Sequence, residues 1–305
     1  MNIVFFGSSH YVLPILDLLH KYFGIALVVT TERPVAELKK RGAVKTPVID
    51  WCNEKKVHYY GVTDFRTKKA ISQHQNPVGI LASFGALVSQ DVLALFPKGI
   101  INIHPSLLPL YRGPTPVQTA IVNGDTQTGV SIMKLDSEID HGPLLAQEKE
   151  AIHDDDTTES LQTRLFAKGA QLLVEILPEY VSGKLEPKPQ DHTKATYTEH
   201  LTRQSGFIDL AEENRHSGGQ RPIESQSKRD PIASLQDDKF KIARMIRAYY
   251  PWPGVWTQLQ ITNYKLRIKF LPNNMVQPEG KKPMSYKDFF NGYPQAKGLL
   301  QNIVE

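Results

Sequence analysis

The stretch Gly99-Ile-Ile-Asn102-Ile-His104-Pro-Ser106-Leu-Leu-Pro109-Leu-Tyr-Arg112-Gly113-Pro-Thr-Pro116 reads as a strand that runs into a rigid loop. At strand period, Ile101 and Ile103 fall on one face and Asn102 and His104 on the other, because successive side chains alternate. Two polar groups thus leave one face of a single strand just where it ends. Pro105 stops the strand, and the prolines and glycine beyond it forbid ladder pairing and impose an ordered loop. A carboxamide donor, an imidazole and a stiff loop meet at a strand's C-terminal edge, which in an open parallel sheet is where ligands bind.

The chain before this stretch supplies such a sheet. Asn2-Ile-Val-Phe-Phe6 is a buried-strand run, Gly7-Ser-Ser9 a turn, and Val12, Leu13, Ile15, Leu16, Leu18 and Leu19 follow at helical spacing. Ile25 to Thr30 reads as a second strand, which completes a βαβ unit and predicts an α/β fold with a Rossmann-like, largely parallel sheet. One glycine in the first turn falls short of a dinucleotide fingerprint. Val57 to Tyr60 and Val78 to Ala82 read as further strands. After the proline-rich loop come a short helix (Val117 to Val122), a strand (Gly129 to Leu135), a turn containing Asp140, and a strand from Leu144 to Gln147. Asp156-Thr-Thr-Glu159 has capping-box spacing ahead of a long helix striped by Leu161, Leu165, Leu172, Leu173 and Ile176.

Two segments interrupt this alternation. Thr31 to Pro47 carries Arg33, Lys39, Lys40 and Arg41 and is longer than the usual two to six residues of a strand-to-helix loop, so it reads as functional or as a solvated excursion. Lys184 to Lys194 has linker composition, with two prolines and alternating charges. The domain reading is therefore a catalytic domain at 1–183, a linker at 184–206, and a C-terminal domain at 207–305. Within the last, residues 211–238, rich in Ser, Gln, Gly, Arg and Glu, read as a disordered insertion. Structure resumes with a helix over Ile242 to Tyr249 and alternating strands at Val255 to Leu259 and Lys265 to Phe270.

Composition bounds the setting. Cys52 is the single cysteine, which excludes an internal disulfide and makes a reducing cytoplasm the expected compartment. Cys52 itself reads as a small buried hydrophobe. No apolar run approaches the roughly 20 residues that span a bilayer, so no membrane partner is expected, and the apolar start reads as a strand. The net charge is +4, but from Lys241 onward the basic residues face only Glu279, Asp288 and Glu305. That asymmetry suits a polyanionic partner or a solvated basic face.

Asn102, His104 and Asp140 offer an amide, an imidazole and a carboxylate. Ser106 lies near His104, but no Gly-x-Ser-x-Gly elbow supports a serine hydrolase, and no ligand spacing supports zinc. Acyl transfer by direct attack remains: an amine adds to a carbonyl, Asn102 and a protonated His104 stabilise the alkoxide, and Asp140 takes a proton from the amine. A purely structural Asn and His at a strand end is the alternative.

Asn102-Ile-His104-Pro-Ser106-Leu-Leu-Pro109, Tyr111-Arg112-Gly113 and the Asp140 of Ile-Asp-His-Gly resemble the signature of the folate-dependent formyltransferases. The resemblance implies Asn102, His104 and Asp140 as the catalytic trio. It also implies contact of Ser106, Leu107, Leu108 and Pro109 with the folate, and 10-formyltetrahydrofolate as a formyl donor consumed without a metal. Met245-Ile-Arg247-Ala248-Tyr-Tyr-Pro251-Trp252-Pro253-Gly254-Val-Trp256 and Pro278-Glu-Gly280-Lys281-Lys282-Pro-Met284-Ser285 resemble stretches of the branch that formylates methionyl initiator tRNA. In that branch a basic OB-type β-barrel follows the linker and holds the tRNA, implying tRNA contacts at Lys281 and Lys282. The loop with Arg33, Lys39, Lys40 and Arg41 resembles the insertion that reaches the acceptor end. Between Leu210 and Phe240 the chain departs from the family. The stretch from Trp256 to Val276 is too short for five full strands, so the barrel is expected to be abbreviated. A monomer is expected. A sugar-nucleotide amine or water as formyl acceptor, and a non-catalytic RNA-binding relative, are the rival readings.

Overall fold

Strand β1 (Ile3–Phe6) is buried on both faces, and its alternation sorts the core into two layers. Ile3 and Phe5 join one apolar cluster and Val4 and Phe6 another, as a strand sandwiched between helices requires. The computed structural model describes residues 1–31, 47–61, 66–209, 231–261 and 264–304. It separates into two units, Met1–Pro116 with Gln127–Ala151 and Leu161–Thr198, and Val117–Thr126 with Ile152–Ser160 and Glu199–Glu305.

In the first unit β1 is followed by α1 (Leu13–Phe23), β2 (Leu27–Thr30), α2 (Pro47–Lys55), β3 (Tyr59–Gly61), α3 (Arg66–Ser72), β4 (Val78–Ala82), α4 (Gln90–Leu93) and β5 (Ile100–His104). Beyond α5 (Pro116–Asn123), whose residues from Val117 on belong to the second unit, the first resumes with β6 (Gln127–Lys134), β7 (Leu144–Ala151) and the long α6 (Thr158–Ser182), which enters it at Leu161. The sheet order is β3-β2-β1-β4-β5-β6-β7. The pairs from β3 to β5 are parallel. The pairs β5–β6 and β6–β7 are antiparallel, and the short connection between β6 and β7 permits only a reversal there. The result is the mixed, largely parallel α/β sheet expected.

Ile101 and Ile103 lie in the layer with Phe166 and Leu173 of α6, while Ile100 belongs to the opposite layer with Phe96. Each such isoleucine contributes about 1.5–3 kcal/mol by burial. The alternation of the strand places Asn102 and His104 on the other face, at the end of β5. The α6 stripe includes Leu161, Leu165, Phe166, Ala170, Leu173 and Leu177, all buried. Its reciprocal N-terminal cap differs from the expected Asp156 and Glu159 pair. The Thr157 amide donates to Ser160 Oγ at 3.0 Å and the Ser160 amide to Thr157 Oγ1 at 3.2 Å, while Asp156 instead accepts from the His153 amide and Ser160 Oγ. The cap sits one residue later because Asp156 is committed to the preceding turn.

Residues 184–198, with the composition of a linker, are built into the first unit. Leu144 and Lys188 exchange backbone hydrogen bonds of 2.7 Å at the edge of β7, and Arg112 bridges to Tyr197. Proline and charge in this segment therefore mark an edge-pairing strap, not a free tether.

In the second unit α7 (Pro231–Ala248) begins well before the expected Ile242, and so takes in residues 231–238 of the expected insertion; its residues 211–230 lie outside the described residues. Then follow β8 (Val255–Ile261), β9 (Tyr264–Leu271), β10 (Met275–Pro278), β11 (Met284–Ser285), α8 (Tyr286–Gly292) and α9 (Lys297–Val304). The four strands form an antiparallel meander, β11-β10-β9-β8, smaller than a five-stranded OB barrel. Val255, Leu259, Ile261, Leu266, Ile268 and Phe270 face inward onto Ile242 and Phe289. Asn273 and Asn274 take the left-handed conformation that asparagine tolerates in the β9–β10 turn. No described helix is long and apolar enough to cross a membrane.

Candidate active site

The end of β5 brings together the three polar side chains read from the sequence. Asn102 Nδ2 donates to Asp140 Oδ1 at 3.2 Å, and His104 Nδ1 lies 3.5 Å from Asp140 Oδ2. Asn102 and His104 are buried, and the Asp140 carboxylate is largely so. The opposite imidazole nitrogen, Nε2, is 2.9 Å from the Tyr111 carbonyl and must donate to it, since a carbonyl only accepts. With Nε2–H committed, Nδ1 presents a lone pair to the carboxylate when the ring is neutral and a proton when it is charged. Only the charged ring is attracted to Asp140.

The loop turns back on itself to make this possible. Tyr111 and Gly113 lie at φ 58° and 106°, and the Gly113 amide donates to Asp140 Oδ2 at 2.8 Å. A Cβ at Gly113 would stand 2.9 Å from both the carbonyl and the hydroxyl of Thr198, so glycine is required by conformation and by space. The carboxylate thus accepts from a side-chain amide and a backbone amide, charge-assisted bonds of about 1.5–3 kcal/mol each.

Cross-strand register holds in place the Ser106 to Pro109 segment, for which the resemblance implies folate contact. His104 on β5 pairs with Ser131 on β6, which pairs with Gln147 on β7. Ser131 Oγ donates to the Ser106 carbonyl at 2.6 Å and accepts from the Leu108 amide at 3.0 Å. Gln147 Nε2 donates to the Leu108 carbonyl at 2.8 Å. Ser106 spends its hydroxyl on the Leu110 carbonyl at 2.7 Å, and Ser106 and Leu108 are buried within the protein. Leu107 and Pro109 are half-buried. Leu107 fills the space that a Cβ at Gly129 would need, 2.5 Å from its Cδ2. Ser131, Gln147 and the Gly113 amide escape a reading of sequence alone, although polar residues inside the apolar β6 run are a signal that the strand face is used.

The remaining expected contacts lie elsewhere. Arg33, Lys39, Lys40 and Arg41 fall outside the described residues. Lys281 and Lys282 are exposed in the second unit, in the turn between β10 and β11. On the outward face of the same sheet Lys265, Arg267 and Lys269 stand opposite Gln260, Gln258 and Trp256, with the Arg267 guanidinium 4.7 Å from the Trp256 ring centre. Cys52 is fully buried, and burial pushes its thiol up to about 12, so it is no nucleophile. Among the described residues no group of His, Cys, Asp and Glu could hold a metal ion.

A family model described as Formyl transferase matches residues 1–177. A methionyl-tRNA formyltransferase of Roseiflexus sp. (strain RS-1) is 38% identical over 263 residues, covering 84% of this chain and 73% of that protein. One from Dictyoglomus turgidum is 32% identical over 310 residues, 96% of each. Among solved structures, an N-formyltransferase from Helicobacter canadensis in complex with folinic acid and dTDP-3-aminofucose aligns with a TM-score of 0.59 at 15% identity, covering 90% of this chain and 94% of that one. A 4-N formyltransferase from Francisella tularensis gives 0.60 at 14% identity, over 88% and 97%. At such identities these two speak for the fold alone. The sequence matches carry the assignment: this chain belongs to the formyl transferase family.

Proposed function

We propose that the chain transfers the formyl group of 10-formyltetrahydrofolate to the α-amino group of methionine esterified to initiator tRNA. The amine nitrogen attacks the formyl carbon, and the carbonyl electrons move onto oxygen. Asn102 Nδ2 has two hydrogens, of which Asp140 takes one, so the second is available to the oxyanion. In its protonated form His104 supplies the other stabilising donor through Nδ1. Asp140 accepts the proton that the amine must lose. Collapse of the alkoxide breaks the bond to the folate N10, which takes up the proton held by Asp140 and leaves as tetrahydrofolate. Proton removal and oxyanion stabilisation thus act on the same carbon from one strand edge.

The observation that carries this reading is the convergence of Asn102, His104 and the Gly113 amide on Asp140 at the C-terminal edge of β5. The acceptor is argued from the named relatives and from charge. The Lys265, Arg267 and Lys269 row, with Trp256 beneath Arg267 and Lys281 and Lys282 in the adjoining turn, suits phosphates and an unstacked base. Arg33, Lys39, Lys40 and Arg41 are proposed to serve the acceptor end. The Leu107 to Pro109 segment is proposed to line the folate, with Ser106 holding its shape. A cytoplasmic monomer fits this role.

The test is a competition for one labelled formyl donor among methionyl initiator tRNA, sugar-nucleotide amines and water, with products weighed by mass spectrometry. Formyl-methionyl-tRNA as the dominant product is the expected result. Formylated sugar nucleotide, or free formate alone, overturns the acceptor and leaves the donor chemistry in place.

A further inference from the structure

Beneath the Asp140 turn lies a polar network that none of the roles above uses. Gln190, 5% exposed, comes from the strap that sequence composition marks as linker. Its Nε2 donates to two backbone carbonyls of the turn, Asp140 O at 2.9 Å and Gly142 O at 2.7 Å. Its Oε1 accepts from Arg112 Nη2 at 2.8 Å. Arg112 is 1% exposed and also reaches Tyr197 Oη at 3.1 Å and His192 Nδ1 at 2.8 Å. The amide has one orientation available. Flipped, it would face an NH₂ with a guanidinium and an oxygen with two carbonyls, all three contacts becoming repulsive.

The turn needs such a clamp. Asp140 sits at φ 47°, a conformation that is unfavourable for a non-glycine residue and persists only when surroundings hold it. Gly142 cannot yield, since a Cβ there would lie 1.9 Å from the Lys134 carbonyl. The two Gln190 bonds straddle His141 and fix the backbone on both sides of it. The carboxylate end of Asp140 is held by Asn102 and Gly113, and its backbone by Gln190.

We propose that Gln190, oriented by the buried Arg112, is a positioning residue that sets the aim of the Asp140 carboxylate. The proposal rests on the reading of Asp140 given above. Its discriminating variant is Gln190→Glu. The carboxylate keeps the partner of Arg112, and gains charge complementarity with it, while losing both donors to the turn. Because the glutamate also sets an oxygen against the Asp140 and Gly142 carbonyls, a loss shared with Gln190→Met, which has no oxygen to repel them, separates aiming from local repulsion.

The experiment measures kcat and the KM of donor and acceptor, together with amide hydrogen exchange over residues 139–142, in the full chain, Gln190→Glu, Gln190→Met and Asp140→Asn. Gln190→Met fills the volume without hydrogen bonds and guards against a folding defect peculiar to the glutamate. The expected result is a fall in kcat of about 10–100-fold for both Gln190 variants, with each KM within about twofold and faster exchange at the turn. Wild-type kcat and wild-type exchange in Gln190→Glu overturn the proposal. A wild-type rate in Asp140→Asn overturns the site reading instead, and faster exchange in Gln190→Glu then still establishes the clamp while removing its catalytic purpose.

Discussion

Replacing Asp140 by Asn tests the site with the smallest change of shape. The carboxylate accepts from Asn102 Nδ2 on one oxygen and from the Gly113 amide on the other. An asparagine has a single oxygen, so its NH₂ must face one of these donors, and one charge-assisted bond of about 1.5–3 kcal/mol disappears. The carboxylate that a protonated His104 would face, 3.5 Å from its Nδ1, goes with it. Loss of a proton acceptor alone typically lowers a rate about 10²–10⁴-fold. These effects overlap and do not add, since each removes the same carboxylate, so a fall in kcat/KM of about 10³-fold or more is expected. The assay is single-turnover formyl transfer to methionyl initiator tRNA, with thermal melting as a control. Stability should fall by no more than the one hydrogen bond, a few degrees in Tm for a protein of this size. A variant within tenfold of wild type would refute the role given to Asp140.

Ser131→Ala removes the hydroxyl that serves both the Ser106 carbonyl and the Leu108 amide. It should cost about 1–3 kcal/mol and raise the KM for folate more than it lowers kcat, as read by urea melts and donor titration. Lys265→Ala combined with Arg267→Ala should flatten the slope of log affinity for tRNA against log salt by about one for each phosphate that is no longer neutralised, leaving folate binding unchanged; an unaltered slope removes that face from the interface. Cys52 carries the pH prediction. Its thiol has an ordinary value of 9.0 in the unfolded chain and about 12 in the fold, so the unfolded state ionises first as pH rises. Stability should therefore fall between pH 9.0 and about 12 by up to about 1.4 kcal/mol per unit, and Cys52→Val should remove that part of the slope in denaturant melts. At pH 8 a small alkylating reagent should leave the folded chain untouched and label it in urea, as intact mass would show.

Local periodicity was enough to read the α/β layout, the stripe of α6, and the shared face of Asn102 and His104 at the end of β5. These are properties of residues close in sequence, and the burial of Ile101 and Ile103 against α6 enforces the alternation. Strand direction at β6 and β7, the docking of residues 184–198 and the early start of α7 were not legible, because each depends on pairing between distant segments. Proline and alternating charge look the same in a tether and in an edge strap. At the site, nothing near Asp140 in the chain says which groups it meets. Its partnership with His104 comes to the sequence only through family resemblance.

Residues adjacent in the chain settle which side chains leave one face of one strand, since that follows from a two-residue repeat and a proline stop. How they are aimed comes from contacts between distant segments: the row His104, Ser131 and Gln147 across three strands, the Gly113 amide turned onto a carboxylate, and Gln190 under the Asp140 turn. A hydrogen bond is directional and vanishes within about an ångström. Sheet register and loop return set those distances, and both are fixed only when the whole first unit has folded.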